Sequence, residues 1–202
     1  IMLESPTKRC EQLMLFMVKF DVVSNLSCLE VKYDDQEKSR LELIFSPQLY
    51  LSESLTLGGK LSYRNMQEWF IWDFDTQQLA GFKAERYGAD VRFDWYPSPG
   101  QELRLKFQWV GIDAEQAESY QLNNDGNLYS SDTAVSDFSV ANTALQIRYR
   151  YQLAPLSDIF LVYSRGGDFS SDDGDEGSKT LLREGWDGVQ VESIIAKIRY
   201  RF

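Results

Sequence analysis

The chain's last ten residues, SIIAKIRYRF, put Ile194, Ala196, Ile198, Tyr200 and Phe202 on one side of an extended strand, and Ser193, Ile195, Lys197, Arg199 and Arg201 on the other. Successive side chains of a strand point to opposite faces, so one face here is apolar and the other mainly basic. Such a strand divides two different environments. The same period-two pattern recurs in SLTLGGKLSYR (54–64), RYGADVRFDWY (86–96), ELRLKFQW (102–109) and LQIRYRYQ (145–152). RLELIFSPQLYL (40–51) alternates as well, with Pro47 predicting an edge or a bulge. LMLFMVKFDVV (13–23) and DIFLVYSR (158–165) are apolar on both faces, which leaves their orientation open. Each alternating stretch is about ten residues long, against about five or six in a globular sheet; a tilted membrane-crossing strand needs about 9–11.

The connections sort by length. YPSPGQE (96–102) and LAPLSD (153–158) are short turns rich in Pro, Gly and Ser, whereas 111–142 and 165–193 are long, polar and acidic. Short turns at one end and long loops at the other are the pattern of an outer-membrane barrel. The fold predicted is all-β: an antiparallel transmembrane β-barrel, or its C-terminal portion, in one domain over 1–202 with residues 1–11 as an irregular arm. Roughly nine strands are expected, with EWFIWDF (68–74) as the upper part of a long hairpin projecting beyond the membrane.

Composition removes several function classes. A net charge of −10, from 31 acidic and 21 basic side chains, lacks the basic field of a nucleic-acid binder. The chain has no histidine, which excludes Ser-His-Asp and Cys-His nucleophile pairs and every His-ligated metal site. Cys10 and Cys28 have no metal-ligand spacing; Cys28 reads as a small apolar residue near a strand start, and no bridge to Cys10 is expected. The longest apolar run, Leu13 to Val18, is far below the ~20 residues of a spanning helix. IMLESPTKRC lacks the layout of a signal peptide, so a mature form or a fragment is expected.

The polar series collects Lys60, Arg64, Arg92, Arg104, Lys106, Arg148, Arg150, Lys197 and Arg199, with Arg201 at the end and Asp90, Asp94 and Glu102 interspersed. These are the candidate lumen-facing residues. They suit a cation-lined pore that favours anions; a lumen filled by ion pairs and water is the preferred alternative, because the neighbouring acids neutralise much of the ladder. Trp95 and Trp109, near strand ends in the outward series, are candidate interface aromatics. DFSSDDGDEGS (168–178) does not follow the calcium-loop order of an EF-hand and reads as a solvated acidic loop. No catalytic residue, metal site or cofactor is assigned, and no carboxylate pair stands out for hydrolysis.

The terminal alternation, with Phe202, Tyr200 and Ile198, resembles the targeting signal of outer-membrane barrels. That resemblance implies the barrel-assembly machinery as a partner during biogenesis. NTALQIRYRYQLAPLSDIFLVYSRGG (142–167) and WYPSPGQELRLKFQWVGIDA (95–114) are similar to the closing region of domain-of-unknown-function family 5916, in which a barrel follows a family-9-like carbohydrate-binding domain. This resemblance implies a C-terminal barrel portion, a missing N-terminal barrel segment and a link to saccharide; it carries over no catalytic residue. The expectation is a non-enzymatic protein of the bacterial outer membrane, in contact with its lipid, acting as a pore or as an anchor presenting surface loops. The alternatives are a soluble secreted β-sandwich that binds glycans and a carbohydrate-active hydrolase.

Overall fold

A computed structural model describes residues 16–22, 25–34, 40–74, 78–123, 125–132 and 134–201. Most of them form one antiparallel sheet: β1 (Phe16–Val22), β2 (Asn25–Asp34), β3 (Arg40–Ser52), β4 (Leu55–Asp73), β5 (Gln78–Trp95), β6 (Gln101–Leu122), β7 (Leu128–Ser130), β8 (Phe138–Ala154), β9 (Ser157–Ser171) and β10 (Val189–Arg199). Among the described residues a single helix, α1 (Ser178–Asp187), precedes β10. Strands neighbour one another in chain order from β1 to β10, except that the three-residue β7 pairs only with the tip of β6. Nine strands therefore lie side by side, as the sequence count anticipated.

The sheet is not closed. β1 pairs only with β2 and β10 only with β9 among the described residues, which corrects the expectation of a complete barrel. Strand direction supplies the reason: in an antiparallel path of nine, the first and last strands run the same way, so the two edges cannot zip together as an antiparallel pair.

The strands are also longer than predicted, reaching 22 residues in β6. Segments 111–122, 138–142 and 165–171, read as loop from sequence, belong to the ladder. EWFIWDF (68–74) is the upper part of the β4–β5 hairpin, as predicted. Two register irregularities interrupt the upper parts of β4 and β6. The β4–β5 register shifts between Met66 and Trp69, and the β5–β6 register shifts at Gly81/Phe82, so the period-two phase slips there. Pro47 lies in an interior strand; the β3–β4 pairing lapses at Ser46 and Pro47 and resumes at Gln48↔Gly58 with its register kept.

Three of the short connections share one end, and a fourth, 74–77, joins β4 to β5 at the other. At the shared end residues 53–54, 96–100 and 155–156 close hairpins, the last with Leu156 at φ 68° and the middle one with Gly100 at φ 82°. The longer connections, 123–137 and 172–188, are at the opposite end.

Among the described residues a compact core lies at that far end. Ala80, Phe82, Ala84 and Ala114 are buried, packed with Met66, Trp69, Ile71, Val135 and Phe138. The Phe82 and Phe138 rings meet edge to face at 5.2 Å. Elsewhere large apolar side chains stay exposed, Ile194 at 72 % and Ile198 at 69 %. Cys28 lies in β2; Cys10, residues 1–11 and Phe202 fall outside the described residues.

Candidate functional site: the two faces of the sheet

Directly paired residues share a face, so the register places every predicted site residue. One face carries Leu55, Trp95, Leu103, Tyr149, Leu161 and Ala196 in one rung, then Leu57, Phe93, Leu105, Ile147, Tyr163 and Ile194 in the next. The other carries all the predicted polar-face cations: Lys60 opposite Asp90, Arg92 opposite Lys106, Arg104 opposite Arg148, Arg150 opposite Glu102, with Lys197 and Arg199 on β10. Arg86, directly across from Arg64 on this face, was left out of the predicted set although its strand alternation marked it.

The charged face is partly neutralised. Arg64 Nη2 donates to Glu42 Oε1 at 2.5 Å. Arg92 Nε approaches Asp90 at 3.1 Å, and Lys106 reaches the same carboxylate at 4.0 Å. Arg104 pairs with Glu102, lies 3.5 Å from Asp94, and donates to the Tyr96 hydroxyl at 3.3 Å. Asp158, only 1 % exposed, accepts two bonds from Arg150 at 2.9 and 3.1 Å and a further one from Arg199. Lys60, Arg148 and Lys197 have no carboxylate within salt-bridge distance among the described residues. Two recesses open on this face: one lined by Glu102, Arg104, Arg148 and Arg150, the other by Gln48, Lys60, Asp90 and Arg92.

Both faces change character along the strands. Toward the long-loop end the charged face becomes the Phe82 core, while the apolar face becomes polar: Glu85, Asp113 and Ser139 occupy one rung. Glu85 accepts from the Tyr87 hydroxyl, and from Tyr63 at 2.9 Å; the Tyr87 bond foremost holds its carboxyl below the usual range. Burial pushes the Asp113 carboxyl up, against a 2.8 Å bond from the Ser139 hydroxyl.

The apolar band between is oblique. Glu85 is in register, through Asp113 and Ser139, with Ser171 on β9, yet the first charge on this face of β9 is Arg165, six residues nearer the short turns, with Glu192 of β10 beside it. At the lower border Trp95 is in register with Ala196, while the alternation of β10 runs four residues further, to Tyr200. Over the four strand spacings from β5 to β10, both borders therefore descend together.

Aromatics mark these borders. Trp95 is exposed at the lower one. Trp109 is not near a strand end, because β6 continues to Leu122; it stacks on Tyr87 at 6.3 Å, and Tyr87 meets Tyr63 at 5.4 Å, forming an aromatic row at the upper border. Ile198 and Tyr200 are exposed at the β10 edge.

Helix α1 packs on the apolar face just above this upper border. Leu181 lies over Gly111, Gly185 over Ala141, and Thr143 Oγ1 donates to the Gly185 carbonyl at 2.7 Å. Arg165 stacks 4.2 Å from the Trp186 ring. The i, i+4, i+5 spacing of Leu181, Gly185 and Trp186 was the available signal for this helix, masked by the acidic run before it. No group of three metal-ligating side chains occurs among the described residues, the 168–178 segment included. None of the described helices is long and apolar enough to cross a membrane.

A sequence profile described as Domain of unknown function (DUF5916) matches residues 17–200. The chain belongs to that family. No curated protein and no solved structure matches it. The match spans the whole described sheet and the charged face, so the paired rungs above belong to the family's own domain.

Proposed function

We propose that this sheet is the wall of a transmembrane β-barrel of a bacterial outer membrane, with the apolar face in lipid, the charged face lining a lumen, and the long connections outside. The barrel serves as a pore or as an anchor that presents those connections. The oblique apolar band carries this reading. A flat membrane cutting tilted strands leaves an apolar band running at the tilt angle to the direction of the hydrogen bonds. Six residues at the upper border, reached on β9 and unchanged on β10, and four at the lower, at ~3.3 Å each, against three to four spacings of ~4.8 Å, give a tilt of about 35–55°. Strands of outer-membrane barrels tilt by about 35–45°. Closure of any barrel requires such a tilt, so the tilt supports a barrel wall, and the side on which the apolar face lies separates lipid from a packed interior.

Two further points support it. On β5 the apolar stretch from Tyr87 to Trp95 has the length of a membrane crossing. An apolar face turned inward would need filling, and side chains fill a barrel of about eight strands but not a wider one. The free edges fit the same picture, since antiparallel closure of this nine-strand path takes an odd number of further strands, and lipid tolerates no open edge.

The test is export of the full-length protein followed by fractionation and electrophoresis with and without boiling. Detergent-dependent extraction and a heat-sensitive mobility shift are expected. A freely soluble product with no shift overturns the reading and favours the glycan-binding sandwich.

A further inference from the structure

The charged face has an order that neither strand patterning nor ion pairing explains. Take one cation per strand. From Lys60 on β4 to Arg92 on β5 is a step of two residues toward the short turns, since Lys60 pairs with Asp90. Arg92 pairs directly with Lys106 of β6. Arg148 of β8 pairs with Arg104, two residues below Lys106, and Lys197 of β10 is in register, through Phe160, with Arg150, two residues lower again. The line drops six residues over five strand spacings, a slope of about 40° at ~3.3 Å per residue and ~4.8 Å per strand. That is the slope of the apolar band's borders on the opposite face. Once the strands are tilted to make those borders level, the five cations become level too.

They also lie at mid-height. On β10 the band runs from Ile194 to Tyr200, with Lys197 at its centre; on β5 it runs from Tyr87 to Trp95, with Arg92 one residue from centre. The acids are displaced from this level. Asp94 sits toward the short turns from Arg92, Glu102 from Lys106, and Asp158 pairs with Arg199 rather than with Lys197. Asp90 alone stays close, shared by Arg92 and Lys106.

This arrangement costs stability, because like charges set directly opposite destabilise a sheet, and Arg92–Lys106 and Arg104–Arg148 are both such pairs. A lumen held by ion pairs alone would set an acid beside each cation, whereas one acid, Asp90, stands at that level, and Lys60, Arg148 and Lys197 have no carboxylate within salt-bridge distance among the described residues. Resting on the barrel reading above, we infer that Lys60, Arg92, Lys106, Arg148 and Lys197 form a basic belt at the membrane midplane, which makes the lumen a conduit for small anions. Charges at one level within low-dielectric walls act together on a passing ion, concentrating anions and repelling cations. Solutes bearing phosphate or carboxylate are the class it fits.

The experiment is the reversal potential of the full-length protein in planar bilayers under a potassium chloride gradient. The native protein should prefer chloride. Lys60→Gln, Arg148→Gln and Lys197→Gln remove cations without stranding a carboxylate, and each should reduce the chloride preference about twofold, the effect of one charge across several ångströms of water. Asp94→Asn, off the belt, serves as the control and should change selectivity less. Channels without anion preference, or a triple variant with unchanged selectivity, overturn the belt. Heat-modifiable insertion without conductance overturns it while leaving the barrel standing. Absence of insertion removes the barrel reading instead, and the belt with it.

Discussion

Replacing Leu181 with alanine tests whether α1 is a docked element of the wall or an independent surface helix. Ten residues do not form a stable helix alone, and α1 has no side-chain N-cap. Its attachment comes from Leu181, which is 0 % exposed, from the Thr143–Gly185 bond at 2.7 Å, and from Arg165 stacked on Trp186. Truncating a buried leucine to alanine costs about 2–5 kcal/mol, and the lower part of that range suits a site at the rim of a sheet. About 2–4 kcal/mol converts to a roughly 30- to 700-fold rise in the detached population. Lys179 and Arg183 lie within the helix and are trypsin sites only when it unwinds. Cleavage of transiently opened segments tracks the open population when closing is fast. Mass-spectrometric timing of cuts after Lys179 and Arg183 should therefore show acceleration of that order, with the β-strand fragments intact. Equal rates in native and Leu181→Ala protein would refute the argument that packing on Gly111 holds the helix.

Gly167→Ala should expose the same two trypsin sites, because an added Cβ would collide with the Gly185 carbonyl oxygen; unchanged protection there would show that the helix approach is looser than the geometry implies. Phe82→Ala removes a side chain 2 % exposed from the far-end core and should cost about 3–5 kcal/mol, read as faster hydrogen exchange in the upper β4–β5 hairpin with the lower strands unaffected. For Asp113, whose pKa burial raises, the folded protein holds the proton more tightly, so a penalty grows as pH rises from the ordinary carboxylate value through the raised one. The denaturation midpoint of Asp113→Asn should gain on the native protein over that window; parallel curves would count against the burial. Glu85 has the opposite sign: its depressed pKa contributes stability above the ordinary value that is lost as pH falls through the folded one. Tyr87→Phe deletes the main donor and should move that loss to higher pH in the same titration.

Much of the site was legible because a strand's period is local. Alternation alone put Lys60, Arg92, Lys106, Arg148 and Lys197 on one face of their strands and Trp95, Trp109 and Ile198 on the other. It failed where the two faces lost contrast. Beyond Asp113 both sides of β6 carry mainly small or polar groups, so a continuing ladder looked like loop. Before Trp69 in β4 and at Ala117 in β6 an extra residue moved the next ones to the other face, and a pattern read straight through broke there.

The sequence by itself determined that these strands are extended, that each separates an apolar from a charged environment, and that short turns join them at one end. Only the tertiary structure decided how far each strand is displaced along its neighbour. That displacement comes from pairing across the sheet, and no single strand contains it, because the alternation is unchanged by a slide of two residues. The slides turn scattered apolar runs into an oblique band and five separate cations into one line. The number of strands, nine in the path, also leaves the outer edges of β1 and β10 without a partner strand among the described residues, since the direction of the last strand depends on how many precede it.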